Sequence, residues 1–140
     1  MQLQIKKLTE TAVVPVFAHT TDAGMDLFAD EAVELKPGER VLVSTGIAMA
    51  IPEGYVGLVW DKSGLAVKRG IKTMAGVIDA GYRGEIKVAL LNTTDKAQSF
   101  EIGEKVSQIL IQKVEQPEMV LVDELSDTER GEGGFGSTGV

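Results

Sequence analysis

Residues 76–91 read GVIDAGYRGEIKVALL. Val77 and Ile78 are apolar and β-branched, and Ala80-Gly81 is a turn signal. From Glu85 the chain alternates, with Ile86, Val88 and Leu90 on one parity and Lys87 on the other. The pattern is strand, turn, strand. It also puts the carboxylate of Asp79, the ring of Tyr82 and the guanidinium of Arg83 at one hairpin. Together these suit a sugar and a phosphate chain bound side by side.

Outward from this hairpin the same period of two prevails. Leu3 and Ile5 share a parity, and Val33–Leu35 is a short run ended by Pro37-Gly38. Val41–Ile51 is apolar and β-branched around Gly46, closed by Pro52-Glu53-Gly54. Tyr55–Trp60, Val106–Val114 and Met119–Val122 complete the predicted strands. The sole helical stretch is Ser63–Lys68, SGLAVK, with Ser63 as N-cap and Gly70 as stop. Short strands punctuated by Gly and Pro predict an all-β chain, an antiparallel sandwich or barrel. From Arg130 the composition changes, and six of the last eleven residues are Gly or Ser. We therefore divide the chain into a β domain, 1–129, and a glycine-rich C-terminal arm, 130–140, expected to be flexible because it cannot bury enough apolar area to order alone.

The 140 residues suffice for one core, and the 44% hydrophobic fraction excludes a disordered chain. A net charge of −7 argues against a broad nucleic-acid surface but not against a small anion held by local Lys and Arg. With no Cys, disulfides, thiolate metal sites and a Cys nucleophile are excluded. No apolar run is long enough to span a membrane, and the first residues, MQLQIKKLTE, do not read as a signal peptide, so the expected location is cytoplasmic.

Five stretches carry a resemblance. They are AGMDL (23–27), DKSGLA (61–66), GVIDAGYRGE (76–85), GEKVSQILI (103–111) and RGEGGFGSTG (130–139). In this order they closely resemble the trimeric deoxyuridine triphosphate nucleotidohydrolases, the dUTPases; the third and fifth are the most specific. The resemblance implies a jelly-roll β-sandwich, a homotrimer with active sites at subunit boundaries, and an arm closing a neighbour's site. It also implies hydrolysis of dUTP to dUMP and pyrophosphate with Mg²⁺, keeping uracil out of DNA and supplying dUMP for thymidylate synthesis.

The implied roles fall on individual residues. Asp79 matches the base that activates water; the ordinary alternative is an Asp capping its own turn. Asp26 matches the residue holding Mg²⁺ through water, a loop Asp after Gly24 being the alternative. Lys62, Ser63 and Gly64 match a phosphate-binding turn, and Gln108 a contact to phosphate or bound water. Tyr82 matches the ring under deoxyribose that leaves no space for a 2′-hydroxyl. Gly76, Val77, Ile78 and Lys87 belong to the hairpin whose backbone reads uracil. In the arm, Arg130 matches a γ-phosphate ligand, Phe135 a ring stacked on uracil, and Gly136 a close backbone approach.

Two positions depart from the family pattern. Lys62, preceded by acidic Asp61, stands where Arg is usual, and keeps the charge without the bidentate fork. Ser107 stands where Ala is usual. The related dCTP deaminases, a non-hydrolysing nucleotide-binding trimer and a generic jelly-roll adhesion domain are the competing readings. Asp79, Tyr82 and the Phe-bearing arm favour the first family. His19 and Trp60 are read as structural.

Overall fold

The computed structural model describes residues 1–134; Phe135 and Gly136 lie outside the described residues. The described residues form ten strands and one helix: β1 Gln4–Lys7, β2 Met25–Phe28, β3 Val33–Leu35, β4 Arg40–Ala50, β5 Tyr55–Trp60, α1 Ser63–Arg69, β6 Ile71–Met74, β7 Val77–Ile78, β8 Glu85–Asn92, β9 Gln98–Phe100 and β10 Lys105–Lys113. Two four-stranded antiparallel sheets, β1-β4-β8-β6 and β2-β10-β5-β7, are joined by a small β3-β9 pair. This is the architecture of a jelly-roll-like β-sandwich.

The alternation that predicts β8 also builds the core. Ile86, Val88 and Leu90 are buried and pack with Val43, Ile47 and Met49 of β4. The second sheet contributes Met25, Leu27, Val59, Val106 and Ile109, and the small pair contributes Leu35 and Phe100. Asn92 ends β8 fully buried, and its side-chain amide donates to the carbonyls of Leu35 (3.0 Å) and Lys96 (2.7 Å). That satisfies a polar group the core could not otherwise hold.

β4 is the longest strand and carries a bulge between Ser44 and Ala48. Gly46 sits there at φ 64°, where a Cβ would stand 2.6 Å from the Cβ of Ala12. Only glycine fits that backbone and that approach.

Three predicted features are corrected. Met119–Val122 forms no strand; all four side chains are exposed and no neighbouring edge pairs with them. Ser63 is the first helical residue, not the cap. Lys62 takes the extended cap backbone (φ −87°, ψ 124°) without a side-chain cap bond, and the helix stops at left-handed Gly70 as expected. Strands β2, β6 and β9 lie where no strand was predicted.

Candidate active site

The functional candidates fall at the two ends of β5. At one end is the hairpin. Ala75 (φ 56°) and Gly76 (φ 109°) turn the chain out of β6 in one sheet and into β7 in the other. Gly76 accepts a bond from Val59 N (2.8 Å), and a Cβ there would stand 2.6 Å from the Val59 carbonyl oxygen. A larger residue would push β7 off β5. Past Ile78 the chain turns at Asp79, whose carbonyl accepts from Tyr82 N (3.0 Å).

The tip of the hairpin is closed by its own side chains. The Tyr82 hydroxyl donates to the Glu85 carbonyl (2.9 Å), fixing the ring. Arg83 folds back, with Nη1 donating to the carbonyls of Ala80 (2.5 Å) and Tyr82 (2.8 Å). This geometry makes Arg83 a brace for the hairpin's own backbone. Under the hairpin lies an open concavity of about 490 Å³, lined by Leu42, Val77, Ile78, Asp79, Tyr82, Glu85 and Lys87. Lys87 sits 3.4 Å from Glu85 on the outward face of β8. Asp79 is exposed and also borders a second concavity, beside Tyr55 and Val114. Among the described residues its carboxylate accepts no hydrogen bond and pairs with no cation, so the turn-capping alternative is not realised.

The other end is charged, and its central carboxylate is buried. Asp26 on β2 stands opposite Gln108 on β10, which in turn stands opposite Trp60 at the end of β5. Asp26 is only 3% exposed. One carboxylate oxygen pairs with Lys62 Nζ and the other with Lys105 Nζ (2.7 Å). Burial opposes the charge, but the hydrogen bonds and attraction of Lys105 and Lys62 outweigh it, and the carboxyl is held below its ordinary range. Asp26 is thus a buried strand residue and not a loop Asp.

The neighbouring turn is fixed through Asp61. Gln108 Nε2 donates to the Asp61 carbonyl (2.8 Å), and Gly24 leaves space for the Gln108 amide, since a Cβ there would stand 2.5 Å from Oε1. The first helical bond runs from Ala66 N to Lys62 O (2.9 Å). The amides of Ser63, Gly64 and Leu65 therefore have no helical partner. Ser63 and Gly64 are both exposed.

One chain does not merge the two ends. Gly57 pairs with Ile78, and Trp60 with Gln108. Those positions are three residues apart along β5, roughly 10 Å at a strand's rise. The hairpin concavity has no wall from Asp26, Lys62, Ser63, Gly64 or Gln108. Arg130 is exposed, and among the described residues its Nε bonds only within its own turn, to the Gly133 carbonyl (2.8 Å). Trp60 is 54% exposed, at the end of β5 directly before the phosphate turn.

Three residues of these clusters were not among the sequence candidates. Leu42 was detectable as an apolar side chain on the outward parity of β4, and it stays 57% exposed. Glu85 shares that outward parity on β8 with Lys87. Lys105 gives no local signal, because its partner Asp26 is brought to it only by the β2-β10 pairing.

A metal cage is not visible. Among the described residues no group of three or more His, Asp or Glu converges on one point. With both Asp26 oxygens engaged by lysines, this donor set does not fit a directly ligated ion. It does fit a hydrated Mg²⁺ carried mainly by substrate phosphates, which needs only one nearby carboxylate.

Comparison with known proteins gives a consistent answer. The family model described as dUTPase matches residues 10–139. Deoxyuridine 5'-triphosphate nucleotidohydrolases from Hydrogenobaculum sp. and from Thermobifida fusca are each 49% identical to this chain. The first match covers 100% of this chain and 99% of the relative, the second 99% and 79%. A solved structure of the Staphylococcus bacteriophage 80alpha dUTPase with dUPNHPP superposes with a TM-score of 0.94 at 36% identity, over 99% of each chain.

Proposed function

We infer the mechanism from family membership: the chain belongs to the dUTPase family, and the reaction it catalyses is hydrolysis of dUTP to dUMP and pyrophosphate. The base is Asp79. The observation that carries this assignment is its exposed carboxylate, free of partners among the described residues, at the lip of the hairpin concavity. A base must be within reach of the water it deprotonates and must not be spent on the protein's own backbone. Asp79 takes the proton as the water oxygen bonds to phosphorus. The bond between the α- and β-phosphoryl groups breaks, and pyrophosphate leaves.

The hairpin holds the nucleoside. The Tyr82 ring, fixed through its hydroxyl, lies against deoxyribose, where a 2′-hydroxyl would clash. The backbone from Gly76 to Lys87 reads the uracil edge and closes on C5. At the other end of β5, Lys62 and the free amides of Ser63 and Gly64 take the phosphates, and Gln108 contacts phosphate or its water. Family membership implies Mg²⁺ dependence. When bound, the ion would neutralise triphosphate charge, with Asp26 holding it through water.

The separation of the two ends along β5 supports a site assembled between copies, a homotrimer in which the hairpin of one chain faces the phosphate turn of another. Residues 1–129 then act as the body. Residues 130–140 act as the arm, bringing Arg130, Phe135 and Gly136 over a neighbour's substrate. Pyrophosphate release across the common dNTPs and UTP, with and without Mg²⁺, tests this reading. Release from dUTP alone and only with Mg²⁺ is expected. Ammonia released from dCTP would point to the deaminase branch.

A further inference from the structure

We propose that Asp61 is a positioning residue for the triphosphate, an assignment that rests on reading Lys62-Ser63-Gly64 as the phosphate-binding turn. An acidic residue directly before such a turn is electrostatically unfavourable unless its charge is consumed. The structure shows it consumed. Thr73 N donates to one carboxylate oxygen (2.5 Å), and Lys72 Nζ donates to the other (2.7 Å) while also reaching the Thr73 carbonyl (2.8 Å). The carboxyl is held below its ordinary range, since the bonds from Lys72 and Thr73 outweigh the opposing effect of burial.

The anchors of Asp61 point in two directions. Its side chain grips β6 in one sheet. Its carbonyl accepts from Gln108 on β10 in the other (2.8 Å). Asp61 thus joins the two sheets at the point where the phosphate turn leaves β5, and it sets the direction of the Gln108 amide. The turn's other ionic tie is Lys62 to Asp26. That tie must loosen when Lys62 engages phosphate, whereas Asp61 has no such second duty. It is the anchor that stays while the turn works.

The test uses the full chain with three substitutions, Asp61→Ala, Asp61→Asn and Lys62→Ala. It measures kcat and KM for dUTP, with inhibition by inorganic pyrophosphate and by dUMP. Asp61→Ala should raise KM about tenfold, the loss expected for a charged hydrogen-bonding anchor, and weaken pyrophosphate inhibition equally. Its kcat should stay within about threefold, and dUMP inhibition should not change. Asp61→Asn keeps an acceptor for Thr73 N but loses the ion pair with Lys72, so it should recover only part of the loss; where the alanine variant fails to fold, a wild-type KM in Asp61→Asn overturns the proposal. Unchanged KM in both Asp61 variants, or equal weakening of pyrophosphate and dUMP inhibition, overturns the proposal. If Lys62→Ala also leaves KM and pyrophosphate inhibition unmoved, the reading of the phosphate turn itself fails. If Lys62→Ala weakens both while Asp61→Ala weakens neither, only the role of Asp61 falls.

Discussion

The two ends of β5 are built on opposite plans. At the hairpin the groups assigned to chemistry are unspent. Asp79 is exposed and unbonded among the described residues, and the turn is held by Tyr82, Arg83 and backbone bonds instead. At the phosphate turn the charges are spent on one another: Asp26 on Lys62 and Lys105, and Asp61 on Lys72 and Thr73 N. A base must keep a free lone pair, so it is left out of the scaffold. Cations gathered to bind a triphosphate would repel each other, so neighbouring carboxylates hold them in place. The contrast predicts that substitutions at the first end act on rate, and those at the second on affinity and stability.

The sharpest break is Asp79→Asn. It should lower kcat by about 10²–10⁴ while the melting temperature stays at the wild-type value, because no internal bond is lost. Near wild-type kcat would remove Asp79 from the mechanism, and a large drop in melting temperature would show a structural role after all.

Next in size is deletion of residues 130–140. The truncated protein should keep its assembly and melting temperature but bind dUTP loosely and hydrolyse it poorly. Mixing it with Asp79→Asn under subunit exchange sharpens the comparison. If each site draws the base from one chain and the arm from another, the mixture should exceed the summed activity of its two components. No gain on mixing would mean that base and arm come from the same chain.

How far this contrast could be read in advance differs between its two halves. The hairpin is local, and its strands, turn and candidate base are contiguous in sequence with a clean period of two. The charged end is not local. Asp26 lies in β2, whose Met25, Asp26 and Leu27 are all buried, so no alternation marks the strand and its charge reads as a loop. Its Lys105 partner is supplied by pairing across the sheet, which residue spacing cannot reveal. Met119–Val122 failed for the complementary reason: apolar composition suits a strand, but a strand needs a partner edge. Ser63 has the chemistry of a cap, yet Lys62 took the extended backbone and left Ser63 inside the helix.

Substitutions at Lys62 test the affinity half. Lys62→Ala should raise KM for dUTP several-fold to about tenfold with little change in kcat, and Lys62→Arg should keep activity. Identical kinetics in the Ala variant would show that the ammonium serves Asp26 alone.

Acid stability separates the ends again. The Asp61 carboxyl is depressed below the ordinary 3.8 when folded, so its contribution is fully present above that value. It is lost as pH falls through the lower, folded value. In acid titrations of unfolding, Asp61→Asn should flatten the loss of stability below about pH 4. Asp79→Asn supplies the comparison at the hairpin end, where the carboxylate has no partner among the described residues. Equal curves for Asp61→Asn and wild type would show that the charge of Asp61, and so its pairing with Lys72, contributes nothing to stability.

The smallest expected effect lies beside Gln108, within the charged end. Ser107 is fully buried and its Oγ has no hydrogen-bond partner among the described residues. A buried hydroxyl without a partner carries a desolvation penalty that an alanine of nearly the same shape avoids. Ser107→Ala should therefore stabilise the protein by about 1 kcal/mol, read by denaturant unfolding, and leave kcat and KM unchanged. The bulge between Lys105 and Ser107 sets the backbone there, so losing the hydroxyl should not move Gln108. A loss of stability would mean that Oγ finds its partner only in the assembled protein. The charged end would then be completed by a second chain, and the plan of paired groups would extend across the subunit boundary.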